Sequence, residues 1–195
     1  HNLAGNTPLM TMIPKELFSL EKITIWNCMI KKGNMNDLLT TITHTNEKGS
    51  NILHLCAENT SRKENEASIL LREICTHANI PKTAIIKALN TDRKGKLPFY
   101  LCEHEDTCLA LLDIMPLQLL QKQNIDGRKN NIMHICGSKK HFPILIKKLG
   151  QRLPRNELQD LLFERNDNGN NPMMACAIRD GHEILAQFLF MIFLK

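Results

Sequence analysis

Asn166-Asp167-Asn168-Gly169-Asn170-Asn171-Pro172-Met173-Met174 is the last of five related nine-residue stretches, and their recurrence decides how the chain is read. The others are Asn2-Leu-Ala-Gly5-Asn-Thr-Pro-Leu-Met10, Asn46-Glu-Lys-Gly49-Ser-Asn-Ile-Leu-His54, Asp92-Arg-Lys-Gly95-Lys-Leu-Pro-Phe-Tyr100 and Asp126-Gly-Arg-Lys129-Asn-Asn-Ile-Met-His134. The shared order is Asn or Asp, two variable residues, usually Gly, two more residues, Pro or Ile, an apolar residue, then His or a bulky substitute. Each place has a physical reading. Asn or Asp opens a turn because its side chain can bond the backbone two residues on, and Gly takes a positive-φ position. Thr or Asn ahead of Pro8 and Pro172 suits a helix N-cap, and Pro suits the first helical turn. The apolar residues that follow open a buried inner helix.

Working outward, the starts at 2, 46, 92, 126 and 166 give spacings of 44, 46, 34 and 40 residues. Much of the excess length lies just before the next turn, and it repeats as well. Asn36-Asp-Leu-Leu, Ile80-Pro-Lys-Thr-Ala-Ile-Ile-Lys-Ala-Leu-Asn90, Met115-Pro-Leu-Gln-Leu-Leu and Leu153-Pro-Arg-Asn-Glu-Leu-Gln-Asp-Leu-Leu-Phe163 each place Pro or Asn ahead of apolar pairs. That is the pattern of a short capped helix, so an extra helical segment is expected ahead of the turns. A second excess, Glu58 to Ser68, is polar and aperiodic at its centre. It reads as a helix end extended into a surface loop, an insertion whose entropic cost grows slowly with length.

This grammar resembles the ankyrin-repeat family, whose signature is D-x-x-G-x-T-P-L-H followed by L-A-A-x-x-G-H-x-x-I/V-V-x-x-L-L. The fifth copy resembles it best, with Pro172 to Ala177 continuing to Gly181-His182, the family's turn between two helices, and on to Phe188-Leu189. The resemblance spans essentially the whole chain. The repeat lengths depart from the family period of about 33, and only the third copy is near it. The resemblance implies an all-α ankyrin-repeat solenoid of about five helix-turn-helix units with short finger turns or hairpins. A single domain over 1–195 is expected, with repeats at 2–45, 46–91, 92–125, 126–165 and 166–195. The run Ala84 to Asn90 is similar to the inhibitor-of-NF-κB branch, which also has irregular repeats.

Composition agrees with close-packed helices. Of 195 residues, 43% are hydrophobic but only 5% aromatic, so small and aliphatic side chains must do most of the packing. The seven cysteines are an odd number without tight clustering, unlike a secreted disulfide framework, which points to cytoplasm or nucleus. The apolar run Phe188 to Leu194 is about a third of a membrane-spanning length and reads as a buried terminal helix. The absence of an initial Met and this apolar tail suggest a fragment of a longer chain. A formal charge of +5 comes from scattered basic pairs interrupted by acids, where a nucleic-acid groove would concentrate them with aromatics. Neither nucleic acid nor membrane is the expected partner.

The cysteines and histidines raise a metal-binding reading, either Cys102, His104 and Cys108 or His134, Cys136 and His141. The repeat register weighs against it. Cys56, Cys102, Cys136 and Cys176 all fall two residues after the His position, where the resemblance implies a small Ala on the inner helix. Cys is small and readily buried, and fills that slot. His54 and His134 occupy the family's His position, which implies a bond to the backbone of the neighbouring turn. No nucleophile-elbow, zinc-protease, P-loop or dinucleotide motif is present. No catalytic residue, cofactor, metal or small-molecule substrate is therefore expected.

The functional expectation is a protein-protein interaction module acting through finger tips and the exposed side of the inner helices. Lys48, Arg93, Lys94, Arg128, Lys129 and Asp167 occupy the variable finger places and are the expected partner-binding residues. The basic run from the second to the fourth finger favours an acidic or phosphorylated segment as ligand. The rival expectation is a regulatory domain attached to a catalytic domain outside this sequence.

Overall fold

The computed structural model of the chain describes residues 2–13, 20–32, 34–58, 66–77, 80–90, 96–102, 105–121, 128–137, 142–174 and 177. Over these residues the protein is all-α. The backbone forms two compact units, His1–Met115 and Pro116–Lys195.

The first unit is built from helix triplets. Repeat one supplies α1 (Pro8–Met12), α2 (Leu20–Lys32) and α3 (Met35–Thr43), and repeat two supplies α4 (Ile52–Glu58), α5 (Glu66–Thr76) and α6 (Lys82–Leu89). Repeat three begins with α7 (Pro98–Leu101) and α8 (Glu105–Ile114). Corresponding helices of successive repeats pack on one another. The first helices give the row α1, α4 and α7, the second helices the row α2, α5 and α8, and the third helices the pair α3 and α6.

Burial explains this arrangement. Helix α4 is apolar nearly all round, and Ile52, Leu53, His54, Cys56 and Ala57 are all buried. A helix of that kind needs neighbours on several sides. α1, α3, α5 and α7 all pack against it. The flanking helices are one-sided: α3 buries Leu38 and Ile42, one helical turn apart, while Asp37 and Thr40 face solvent.

The second unit carries α9 (Leu117–Leu120), α10 (Ile132–Gly137), α11 (Phe142–Arg152) and α12 (Arg155–Phe163). α10, α11 and α12 pack mutually in pairs. Ile132, Met133, Ile135 and Cys136 of α10 are buried, together with Leu145, Ile146 and Leu149 of α11 and Leu161 and Leu162 of α12. Each fully buried aliphatic side chain of this kind contributes about 1.5–3 kcal/mol.

The extra helical segments expected ahead of the turns are α3, α6, α9 and α12. Pro81, Pro116 and Pro154 are the N-cap residues of the last three, in extended backbone conformations with φ of −58°, −67° and −54°. Proline lacks an N–H, so it is well placed where the helix has no acceptor to offer one. The cap of α3 lies two residues earlier than the sequence pattern suggested. Asn34, not Asn36, is the N-cap, and its Oδ1 accepts from the Asn36 N–H at 3.0 Å.

The centre of the Glu58 to Ser68 insertion, read as a surface loop, is not among the described residues. Glu58 closes α4 and Glu66–Ser68 already belong to α5, while 59–65 lie outside the described residues. The Gly181-His182 turn and the Phe188 to Leu194 run also lie outside them. Among the described residues no helix is long and apolar enough to cross a membrane.

Candidate functional site

Among the described residues, three of the five recurring stretches share one hydrogen-bonded turn. In each, the Oδ1 of the opening Asn accepts two backbone N–H groups. Asn2 accepts from Ala4 and Asn6 at 3.1 and 2.9 Å, and Asn46 from Lys48 and Ser50 at 3.0 and 2.9 Å. Asn166 accepts from Asn168 and Asn170, both at 3.0 Å. The backbone closes the same loop. Gly5, Gly49 and Gly169 donate to the carbonyls of Asn2, Asn46 and Asn166 at 2.8–2.9 Å. The opening N–H groups donate to the carbonyls of Asn6, Ser50 and Asn170 at 2.9–3.2 Å.

The three glycines sit at φ of 69°, 76° and 73°, the left-handed region where a side chain is strained. In the fourth stretch the Gly place is taken by Lys129, which adopts φ 54°. In four of the stretches the side chain of the sixth residue then caps the helix that follows, the exception being Leu97 in the third. Oδ1 of Asn51, Asn131 and Asn171 accepts from the N–H of His54, His134 and Met174, and Thr7 Oγ1 does the same for Met10.

Successive turns are tied together in register. Asn46 Nδ2 donates to Asn6 Oδ1, and Asn166 Nδ2 donates to Asn130 Oδ1, each at 2.8 Å. Beside these rungs run backbone bonds from Glu47 N–H to the Ala4 carbonyl at 3.3 Å and from Asp167 N–H to the Arg128 carbonyl at 3.1 Å.

The two histidines of the His position complete the attachment. His54 Nε2 donates to the Lys96 carbonyl at 3.2 Å, and His134 Nε2 to the Asn170 carbonyl at 2.9 Å. Both acceptors are the fifth residue of the next repeat's stretch. This is the bond to the neighbouring turn that the resemblance implied. Nδ1 of each ring lies 2.7–2.8 Å from the capping Asn of its own helix. Repeat one carries Met10 in the His position, and His44, just after α3, instead donates to the Gly5 carbonyl at 2.6 Å.

On this frame the expected partner-binding residues are placed as follows. In the first unit Lys48 is exposed at its turn tip beside the exposed Glu47. In the second unit Arg128, Lys129 and Asp167 are brought together at two adjacent turns. Lys129 Nζ lies 3.2 Å from Asp167 Oδ1, with side chains 70% and 47% exposed. An ion pair this exposed contributes roughly 0–1 kcal/mol to stability. Its larger effect is local neutralisation of the Lys129 charge, and Arg128 is exposed beside the pair. Arg93 and Lys94 lie outside the described residues.

The inner helices contribute less surface than expected. Every residue of α10 from Ile132 to Cys136 is buried, and in α4 only Glu58 is exposed. The third helices cover them. Asn51 Nδ2 donates to the Ala88 carbonyl of α6 at 2.6 Å, and Asn131 Nδ2 to the Leu161 carbonyl of α12 at 2.8 Å.

Cys56, Cys102 and Cys136 are fully buried, and Cys176 lies outside the described residues. Burial pushes the Cys56 thiol from its ordinary 9.0 up to about 12. Cys75 is raised too, by burial and then by the charge a Cys56 thiolate would carry. Both are therefore neutral thiols at physiological pH, with little nucleophilic character. Among the described residues no three of His, Cys, Asp and Glu converge as metal ligands would.

Sequence reasoning missed the asparagine rungs and the closeness of Cys108 to Cys102, whose sulfurs are 3.1 Å apart. The rungs had a signal. Asn6, Asn130 and Asn170 share the fifth place, where a surface turn has no intrinsic need of an amide. Searches with protein-family models, among curated proteins and among solved structures return no match to this chain.

Proposed function

We propose that the chain is an ankyrin-type repeat solenoid that binds another protein through its finger turns. The observation that carries this reading is one turn, closed by the same hydrogen bonds at Asn2, Asn46 and Asn166, displaying different side chains at each tip. A scaffold of fixed backbone with variable exposed residues suits selective recognition, because little conformational entropy remains to be lost on binding. The buried inner helices narrow the surface to the fingers. Lys48 and Arg128 are its basic contacts, so the partner is an acidic or phosphorylated protein segment.

The test begins by capturing a partner on the purified chain and measuring its affinity for variants. Lys48→Glu and Arg128→Glu should each weaken binding about fivefold or more, roughly 1 kcal/mol, if they lie near the interface centre. Lys147→Glu, on the exposed face of α11, should leave affinity unchanged. Loss of binding with Lys147→Glu and retention with both finger variants would move the surface to the outer helices.

A further inference from the structure

Two cysteines that no part of the recognition surface uses stand side by side in repeat three. Cys102 terminates α7, where its backbone N–H donates to the Phe99 carbonyl at 3.2 Å. Cys108 lies on the first turns of α8 and points back at it. Cys108 Sγ is 3.1 Å from Cys102 Sγ and 3.5 Å from the Cys102 carbonyl oxygen. Both residues are fully buried. A disulfide bond is about 2.05 Å long, so the sulfurs need to close by about 1 Å to be joined.

We propose that Cys102 and Cys108 are an oxidisable thiol pair, and that a hydroperoxide converts them to an intrachain disulfide. The chemistry is balanced with hydrogen peroxide as the oxidant. One sulfur takes an oxygen as the peroxide O–O bond breaks, giving a sulfenic acid and one water. The second sulfur displaces that oxygen, which leaves as another water, and the S–S bond forms. Two thiols and one peroxide become one disulfide and two waters. Nothing else needs to be supplied, and the second sulfur is already in place, so the sulfenic acid is captured before it is oxidised further.

The location gives the bond a consequence. α7 is a single turn whose N-cap, Leu97, makes no side-chain cap bond, so little of its own holds it helical. It packs on α4, and the residue just ahead of its cap is Lys96, whose carbonyl receives His54 Nε2. A disulfide between the end of α7 and α8 fixes this single-turn helix, and with it the attachment between repeats two and three.

The sequence makes the test direct. Cys102 and Cys108 share one tryptic peptide, Leu97 to Lys122, and are separated by cleavage after Glu103 or Glu105. The folded full chain is treated with hydrogen peroxide, alkylated under denaturing conditions without reduction, and digested. The expected result is a Leu97–Lys122 peptide lighter by two hydrogens and unalkylated, whose halves stay joined after cleavage at glutamate until a reductant is added. Cys108→Ala should abolish the product, and the wild-type mass alone decides if that variant fails to fold. Recovery of both cysteines as alkylated free thiols, at a dose that oxidises the exposed Cys28, would overturn the proposal. So would a disulfide joining Cys102 or Cys108 to any other cysteine.

Discussion

At the scale of single residues, Asn46 and Asn166, the opening residues of two turns, each do two separable jobs. Asn166 Oδ1 satisfies the N–H groups of Asn168 and Asn170, while its Nδ2 reaches across to Asn130. Asn166→Asp keeps the first job and removes the second, whereas Asn166→Ala removes both. With net hydrogen-bond contributions of about 1 kcal/mol each, Ala should cost about 2–3 kcal/mol and Asp about 1. Urea denaturation of the two variants checks the order, and equal losses would show that the rung to Asn130 contributes nothing. The glycines give a second contrast. A Cβ at Gly169 meets nothing within 4 Å, so Gly169→Ala bears only the cost of positive φ, about 1–2 kcal/mol. At Gly5 the same Cβ would lie 3.3 Å from the Glu47 backbone nitrogen, at the link between two fingers, and the loss should be larger. Cys56 makes a pH prediction with a definite sign. Its folded-state pKa of about 12 lies above the ordinary 9.0, so above pH 9 the unfolded chain releases a proton that the folded chain keeps. Its contribution is fully present below pH 9 and is lost as pH rises from there toward 12. The difference in stability between wild type and Cys56→Ala should therefore shrink by about 1.4 kcal/mol on going from pH 8 to pH 10.

Among the helices, the parts legible in sequence are those whose signal is local. Pro81, Pro116 and Pro154 each stand ahead of an apolar pair, and a helix follows each of them. The Asn and Gly of the turns act within four residues, and they too read directly from the chain. Distant partners are less legible. That Asn51 and Asn131 extend past their own helices to the carbonyls of Ala88 and Leu161 depends on where α6 and α12 come to rest, some 30 residues along or more. The covering of α4 and α10 depends on the same packing. Burial in these helices separates two classes of substitution. Leu149 of α11 is fully buried, and Leu149→Ala should cost 2–5 kcal/mol, the range for a leucine lost from a core. Cys136→Ala deletes only a sulfur from a site of Ala-like size, and should cost about 1 kcal/mol. Thermal denaturation separates the two, and a Cys136→Ala loss as large as that of Leu149→Ala would mean the thiol makes a contact that size does not capture.

Over the whole molecule the sequence carries a charge of +5, and under the proposed function the distribution of that charge across the fingers selects the partner. Asp167 pairs with Lys129 and cancels one of the basic charges that the fourth finger offers. Removing that carboxylate therefore tests the proposed preference for an acidic ligand without touching either basic residue proposed as a contact. Asp167→Asn keeps the backbone bond from residue 167 to the Arg128 carbonyl, because that bond uses only the main chain. The fold should lose no more than the roughly 0–1 kcal/mol of an exposed ion pair. The fourth finger is then more positive by one charge, and an acidic segment should associate faster at low ionic strength. The gain should fade near 1 M salt, where the screening length falls to about 3 Å. Rim charges act mainly on the association rate, so dissociation should change little. Stopped-flow association of the captured partner at two salt concentrations measures this. Slower association in Asp167→Asn would mean that the partner presents a basic group to Asp167, and the acidic-ligand assignment would have to be reversed.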